Sequence, residues 1–369
     1  MTPVIKRLGF AGLSALNLEW LKKMSPVGVV SPFHHLVADE PVPYIDTLYP
    51  YKNSRQFEAD LDYFLKNFRP LTLPEVIQQA ATGRPFDKPG FLLCFDDGLR
   101  QVYETAAPIL LRKGVPAAFF LNSAFVDNKD VFYNFKKGLI LDKFDRHPPG
   151  NATITEAGAL LNRTFASPQE LRTAIRAINY LDRHLIEGLG RLFELDFEAF
   201  RQQQRPFMTT PEIKELIAKG FAIGSHSIDH PLYALLPLEE QIRQTRESTD
   251  WTVKTFDLPY KAFAFPHIDT GVTNAFFDEF LGSPTQTSRT ADLGDWQTQG
   301  AQTGSAPASK SPEIDLLLGN STGMLENRPR VVHRFIGENP AIPIDTMVKS
   351  VLAYGAVRSR IGRQFVRRN

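Results

Sequence analysis

Seven short apolar runs recur along the chain and predict buried strands. Each run is apolar on both faces, and several are rich in Phe or Val, which is typical of strands buried in a parallel sheet. The runs are VGVVSPF near Val27, FLLCF at Phe91, PAAFFL at Pro116, FAIGS at Phe221, KAFAF at Lys261, DLLLG at Asp315 and RVVHRF at Arg330.

Amphipathic segments between these runs predict helices. Residues 56–68 follow Asn53, an N-cap residue type, and carry apolar residues at helical spacing. Thr210-Pro211 opens a second helix, and a third is predicted over about residues 238–256. The alternation of strands and helices indicates an α/β fold with a parallel sheet, either open or closed into a barrel. In such folds reactive groups gather at the carboxyl ends of the strands.

Two segments interrupt this alternation. The segment from about residue 132 to 206 has a helical pattern, which predicts an inserted helical subdomain that covers one end of the sheet. The segment from about residue 294 to 312 is rich in Gly, Ser, Thr, Gln and Ala, which predicts a flexible stretch that is neither strand nor helix. We therefore expect one main domain over residues 1–357, followed by a basic tail over residues 358–369.

Composition is that of an ordinary soluble globular protein, with 43% hydrophobic and 22% charged residues among 369. The 42 basic and 41 acidic side chains give a formal net charge of +1, so we expect no nucleic-acid partner. We also expect no transmembrane segment. The basic tail suits either a solvated terminus, the more common case, or weak contact with an anionic membrane surface. Because Asn17 and Glu19 interrupt the apolar residues near the N-terminus, no signal-peptide pattern is present and we expect a cytoplasmic location.

The stretch FLLCFDDGLR places two carboxylates directly after a predicted strand. Asp and Gly are common in turns, so one interpretation of Asp96-Asp97-Gly98 is a strand that simply ends in a turn. His226 and His230 favour another, because they stand four residues apart after a second predicted strand, a spacing at which both rings can face one ion. Asp97 can supply the anionic ligand, which leaves Asp96 to accept a proton from an activated water.

These residues resemble the polysaccharide deacetylase family, the NodB-homology family of carbohydrate esterases. FDDG and HSIDH are similar to its first two motifs, and residues 31–65 are similar to the lead-in strand, histidine loop and first helix of bacterial members. The resemblance implies a distorted (β/α) barrel of parallel strands with a helical insertion. It implies Asp96 as the general base. It also implies that Asp97, His226 and His230 are ligands of a divalent metal, for which zinc is the expected ion.

Two later motifs of the family match less well. The third usually reads Arg-x-Pro-Tyr, and its arginine orients the catalytic base, whereas AFPH at this position keeps Pro266 and lacks the arginine. His267, at the position of the tyrosine, is expected to line the substrate pocket beside Pro266 or to act as the general acid. VVH is the nearest match to the late Leu-x-His motif, which makes His333 the other candidate for the general acid. His35 follows the first predicted strand and is expected to border the site and bind substrate.

The predicted function is metal-dependent removal of an acetyl group from an N-acetylated or O-acetylated sugar or polysaccharide precursor. The expected partner is an acetylated amino sugar or glycan precursor. Two alternatives stay open: a hydrolase of another non-peptide C–N bond, in an amide or cyclic amide, and a catalytically inactive carbohydrate-binding relative. The intact Asp96 favours an enzyme, because a binding module has no need of a base beside its ligands.

Overall fold

Parallel strands organise the part of the chain that the computed structural model describes, which comprises residues 16–84, 86–282, 312–362, 365–366 and 368. Each of the seven predicted apolar runs contains at least one strand, so this part of the prediction is confirmed. The strands are β1 (Val29–Val30), β2 (Pro32–His34), β3 (Arg69–Pro70), β4 (Gly90–Phe91), β5 (Leu93–Phe95), β6 (Ala117–Leu121), β7 (Ala222–Ser225), β8 (Ala262–Ala264), β9 (Leu316–Gly319), β10 (Val331–His333) and β11 (Phe335–Ile336).

Helices connect most of these strands. The α-helices in the described residues are α1 (Leu18–Met24), α2 (Pro43–Asp46), α3 (Ser54–Asn67), α4 (Leu73–Thr82), α5 (Ala107–Lys113), α6 (Tyr133–Arg146), α7 (Asn151–Leu160), α8 (Pro168–Ala177), α9 (Leu185–Leu192), α10 (Phe197–Gln204), α11 (Thr210–Ala218), α12 (Leu238–Phe256), α13 (Asn274–Leu281) and α14 (Ile344–Arg360). The three helices predicted above correspond to α3, α11 and α12. Asn53 caps α3 as predicted, through a capping box with Gln56.

Eight of the strands form a nearly closed parallel barrel in the order β10-β9-β8-β7-β6-β5-β2-β11. The two ends of this order are consecutive in the chain, since only Arg334 separates β10 from β11. β10 pairs with β9, and β11 pairs with β2. Residues 331–336 therefore close the barrel by changing partners at Arg334, and the predicted distorted (β/α) barrel is confirmed.

A small sheet of β1, β4 and β3 extends two of the barrel segments at their amino ends. β1 runs on into β2 and β4 into β5, each across a single residue. All five residues of β6 and all three of β5 are buried, as the apolar runs predicted. Because every barrel strand is parallel, their carboxyl ends open on one side of the barrel.

Helices α6 to α10 occupy the predicted insert and share a hydrophobic core of their own. The insert packs against α2, where the rings of Tyr44 and Phe135 lie 5.2 Å apart. Gly138 of α6 permits this contact, because a Cβ atom there would lie 2.1 Å from the Tyr44 carbonyl oxygen. The insert is thus attached to the segment that follows β2.

The C-terminal region differs from the expectation of a separate tail. α14 continues to Arg360, so the boundary predicted at residue 358 falls inside a helix. The Arg368 side chain is buried and forms ion pairs with Asp269 and Glu326, whereas the side chains of a solvated tail would be exposed. Of the predicted flexible stretch, residues 294–311 lie outside the described residues. Within the described part of the chain, every helix is too short or too polar to cross a bilayer.

Candidate active site

Four barrel strands deliver the candidate residues at their carboxyl ends. β5 ends at Phe95 and is followed by the Asp96-Asp97 pair, while β7 ends at Ser225 and is followed by His226. β2 and β8 end just before His35 and the Phe265-Pro266-His267 segment. The parallel topology therefore brings these positions to one rim of the barrel, as the sequence pattern predicted.

Asp97, His226 and His230 converge in a buried group. The Asp97 Oδ1 atom lies 3.1 Å from His230 Nε2 and 3.6 Å from His226 Nε2. The His226 Nδ1–H donates to the Ala264 carbonyl oxygen at 2.8 Å, which leaves its Nε2 lone pair directed at the group. Each of the three residues is at least 97% buried. The sequence-predicted ligands are therefore brought together.

The donor atoms of this group fit a divalent metal. Tetrahedral ligands at about 2.0–2.1 Å from zinc lie about 3.4 Å from one another, close to the spacings given above. Apart from the 3.1 Å contact between Asp97 Oδ1 and His230 Nε2, Asp97 Oδ1 and both ring nitrogens of His230 are buried without a hydrogen-bond partner among the described residues. Burial, reinforced by the neighbouring His230, lowers the pKa of His226 to about 4 in spite of the Asp96 carboxylate, so its imidazole is neutral. A carboxylate with two imidazoles is a common donor set for first-row metal ions.

Backbone strain is concentrated at the same rim. Asp97, Ser227, His230 and His267 all adopt positive φ, at 71°, 76°, 63° and 55°. Non-glycine residues in this region are unfavourable and persist only where the surrounding structure fixes them. Four of the ten described non-glycine residues with positive φ therefore lie at this rim.

Hydrogen bonds hold the strained loop after β7 in place. The Asn122 side chain donates to the His226 carbonyl oxygen and to Ser227 Oγ, and Ser227 Oγ accepts from the His230 N–H at 3.0 Å. Asp229 accepts from the Tyr180 hydroxyl of the insert at 2.8 Å. The barrel and the insert therefore both position the two histidines.

Asp96 is bound by a buried arginine that the sequence analysis did not select. Arg334 donates from Nη1 to Asp96 Oδ1 at 2.7 Å and from Nη2 to Oδ2 at 3.0 Å. Burial alone would raise the pKa of Asp96, but the charge and hydrogen bonds of Arg334, together with His226 and His35, outweigh burial and lower the pKa, so Asp96 is ionised. An arginine from the segment that closes the barrel thus binds Asp96, whereas the third motif of this chain has no arginine.

His35 is paired with Glu338, a second residue that the sequence analysis missed. His35 Nδ1 lies 2.7 Å from Glu338 Oε1, and the His35 backbone N–H donates to Oε2 at 2.8 Å. Burial would lower the pKa of His35, but Glu338, with smaller contributions from Asp97 and Asp96, raises it to about 10. His35 is therefore a protonated imidazolium beside the carboxylates. Its neighbour His34 points the other way, against Phe95.

Pro266 and His267 lie beside the group, as expected for residues that border a pocket. The His267 ring packs edge-on against His230 with centroids 4.4 Å apart, and its residue is exposed. The His267 carbonyl oxygen accepts from Asn320 Nδ2 at 2.6 Å, which fixes the turn after β8. Pro266 is buried beneath this turn.

His333, one of the two residues predicted as the general acid, lies outside this group. Its Nδ1 accepts from the Ser321 N–H at 3.1 Å, and its Nε2 lies 3.4 Å from Glu326 Oε1. The physical reason is strand alternation: Arg334 turns into the barrel towards Asp96, so the preceding side chain turns away. His333 instead joins Asp269, Glu326 and Arg368 in a separate buried cluster.

One local signal pointed to Arg334, and none pointed to Glu338. Arg334 stands inside the apolar run RVVHRF, where a buried charge needs a partner. Glu338 lies 303 positions from His35 in an irregular stretch, so only the closed barrel brings the two together.

Comparisons with known proteins agree with the barrel and the motifs. The sequence profile of the family described as Polysaccharide deacetylase matches residues 83–275, a little over half of the chain. The structure of the Streptococcus pyogenes deacetylase PplD in complex with acetate is 13% identical, with a TM-score of 0.50 over 87% of this chain and 97% of that chain. At this identity the similarity supports the fold alone.

IcaB from Ammonifex degensii is 17% identical, with a TM-score of 0.48 over 88% of this chain and 98% of that chain. No curated protein matches this chain in sequence. The match over residues 83–275 includes Asp96, Asp97, His226 and His230. The chain therefore belongs to the polysaccharide deacetylase family, a family of enzymes that remove acetyl groups from glycans.

Proposed function

We propose that the protein is a metal-dependent hydrolase that removes the acetyl group from an N-acetylated or O-acetylated sugar or polysaccharide precursor. The observation that carries the proposal is the meeting of Asp97, His226 and His230 beside an ionised Asp96. If the strand simply ended in a turn, there would be no reason for metal-binding atoms to be buried without partners among the described residues. Nor would there be a reason for the backbone at this rim to be strained.

Asp97, His226 and His230 would hold the metal, and zinc is the expected ion. When bound, a divalent ion there would polarise the acyl carbonyl and lower the pKa of a water molecule. Asp97 is suited to this role because the nearby His230, His35 and His226 outweigh the effect of burial and lower its pKa, so it is ionised.

Asp96 would act as the general base. It is ionised, and Arg334 holds both of its oxygens, which fixes the direction from which it can accept a proton. Its Oδ2 lies 3.8 Å from His226 Nε2, so the base stands next to the proposed metal ligands. The roles of the two adjacent carboxylates thus differ because their partners differ.

His35 would act as the general acid in place of His333. Glu338 keeps it protonated and fixes its ring through Nδ1, which leaves Nε2–H to donate a proton to the departing amine. His267, exposed at the rim against His230, would contact the sugar together with Pro266. The predicted cytoplasmic location stays a prediction.

Acetate release from a panel of acetylated sugars tests the proposal. We expect the wild-type protein loaded with zinc to release acetate from an N-acetylated or O-acetylated sugar. Asp96→Asn should retain the metal and lose about 10²–10⁴-fold in kcat, whereas Asp87→Asn, at an exposed position, should not change kcat.

Two results would contradict the proposal. Full turnover by Asp96→Asn with metal bound would overturn the base assignment. Hydrolysis of cyclic amides with no acetate release from any sugar would instead favour the alternative C–N hydrolase.

A further inference from the structure

The Tyr49 hydroxyl is a polar group at the candidate active site to which the mechanism above gives no role. Tyr49 lies in the segment between β2 and α3, and its ring packs against His35 with centroids 4.9 Å apart. Its hydroxyl oxygen is buried and has no hydrogen-bond partner among the described residues. Buried hydroxyls almost always have a partner, so this one needs an explanation.

The charges that act on Tyr49 belong to the active site. Burial raises the pKa of Tyr49 well above its usual value, and the carboxylates of Asp97, Glu338 and Asp96 raise it further. The phenol is therefore neutral and carries a proton that it can donate. A ligand oxygen that gains negative charge is the natural acceptor for such a donor.

The helical insert fixes the backbone that carries Tyr49. Arg176 donates to the carbonyl oxygens of Thr47 and Leu48, at 2.5 and 3.1 Å. The Thr47 hydroxyl donates to the Gly138 carbonyl oxygen of α6 at 3.2 Å. A donor held this way does not need to reorganise when charge develops in front of it, which is the property that makes an oxyanion donor effective.

Resting on the proposed deacetylase activity, we propose that the Tyr49 hydroxyl donates a hydrogen bond to the carbonyl oxygen of the acyl group that is removed, and to the oxyanion that forms there. This role explains why the hydroxyl is buried and unpaired in the protein alone. It also gives the insert a function, since the insert holds the segment from which Tyr49 reaches the site.

Tyr49→Phe tests this proposal, with Tyr63→Phe as the matched control. Tyr63 on α3 also has a buried hydroxyl without a partner among the described residues, but the charge acting on it is Asp345 and not the site carboxylates. Phe keeps the ring contact with His35 and removes only the hydroxyl. We expect Tyr49→Phe to lower kcat about 10²-fold with little change in KM, and Tyr63→Phe to match the wild type. A rise in KM at unchanged kcat would indicate that the Tyr49 hydroxyl binds the sugar and not the acyl oxygen, and it would overturn the proposal.

Acetate binding gives a readout that does not depend on turnover. Calorimetric titration of the zinc-loaded proteins with acetate should show about tenfold weaker binding in Tyr49→Phe than in the wild type or Tyr63→Phe. If the wild type releases no acetate from any sugar, the proposed function fails, while this titration still decides the role of Tyr49. Equal acetate affinity in all three proteins, or binding by none, would overturn the proposal.

Discussion

Two ion pairs set the protonation states of the residues proposed to move protons. Arg334 keeps Asp96 ionised, and Glu338 keeps His35 protonated. A base and an acid can thus coexist within one buried site, because each has a partner of opposite charge. Removal of Arg334 or Glu338 should therefore change the pH dependence of the activity while the barrel stays folded.

Glu338→Gln should move the alkaline limb of the pH profile. An acid works only while it is protonated, so activity is lost as the pH rises through its pKa. Glu338 is the main group that raises the pKa of His35 to about 10, so without it burial should lower this pKa, although Asp97 and Asp96 still oppose burial. We expect the alkaline limb of kcat/KM to shift to lower pH by at least one unit. An unchanged limb would exclude His35 as the acid.

Arg334→Met should move the acidic limb in the opposite sense. A base works only above its pKa, and without the guanidinium burial raises the pKa of Asp96, so the limb should shift to higher pH. The unpaired buried carboxylate should also cost about 3–5 kcal/mol of unfolding free energy at neutral pH, measured by urea denaturation. Arg84→Met, at an exposed position, is the control. If the acidic limb lay at the same pH in Arg334→Met and in Arg84→Met, the assigned role of Asp96 would be contradicted.

At the scale of elements, the contact between α2 and α6 links the insert to the active site. The segment that runs from α2 to Tyr49 lies against α6, and Gly138 lets the two backbones approach. The insert also reaches the loop after β7 through Tyr180 and Asp229. It therefore contacts two of the loops at the rim that carries the proposed metal ligands, the one after β2 and the one after β7.

Gly138→Ala should loosen this contact. The new methyl group would lie 2.1 Å from the Tyr44 carbonyl oxygen, a backbone atom that cannot turn aside as a side chain can. We expect a loss of about 1–3 kcal/mol of unfolding free energy in urea denaturation, together with a lower kcat. Gly28→Ala is the control, because a Cβ atom there would meet nothing within 4 Å. Equal stability of the two variants would show that the insert is not held by this contact.

The elements were largely predictable from the sequence, whereas the partners of the catalytic residues were not. Apolar runs such as FLLCF predict strands because a strand that is buried on both faces needs apolar residues at every position. Asn53 predicts a helix start because its side chain can cap the helix, and Thr210-Pro211 does so because proline fixes φ at a helical value. Arg334 and Asp96 lie 238 positions apart, and no local pattern joins them. The position of His333 outside the site was unpredictable for the same reason, since one position along β10 and β11 decides which side chain enters the barrel.

At the scale of the whole molecule, the barrel is closed by a segment near the C-terminus. Residues 331–336 pair with β9 and β2 and place Arg334 in the site. Next to this segment, Asp269, Glu326 and His333 form a buried cluster with Arg368. The end of the chain is thus tied to the closure of the barrel.

Arg368→Met should destabilise the fold most strongly near neutral pH. Burial would raise the pKa of Asp269, but His333 and Arg368 lower it, so its stabilising contribution exists above the pKa of the unfolded carboxyl and is lost as the pH falls through the folded value. We expect a loss of about 3–5 kcal/mol at pH near 7 in urea denaturation, which shrinks at acidic pH. Arg112→Met, which removes an exposed ion pair with Glu58, should cost less than about 1 kcal/mol. Equal losses in the two variants would contradict the role of Arg368.

We predict that Asp97, His226 and His230 hold a divalent metal, and the metal content of the purified protein tests this prediction. After zinc is supplied and excess removed, elemental mass spectrometry should find about one zinc ion per chain in the wild type. His184→Ala, at an exposed position of the insert, should keep this zinc, and the double variant His226→Ala, His230→Ala should lose it. Negligible zinc in the wild type, or equal zinc in all three proteins, would contradict the claim.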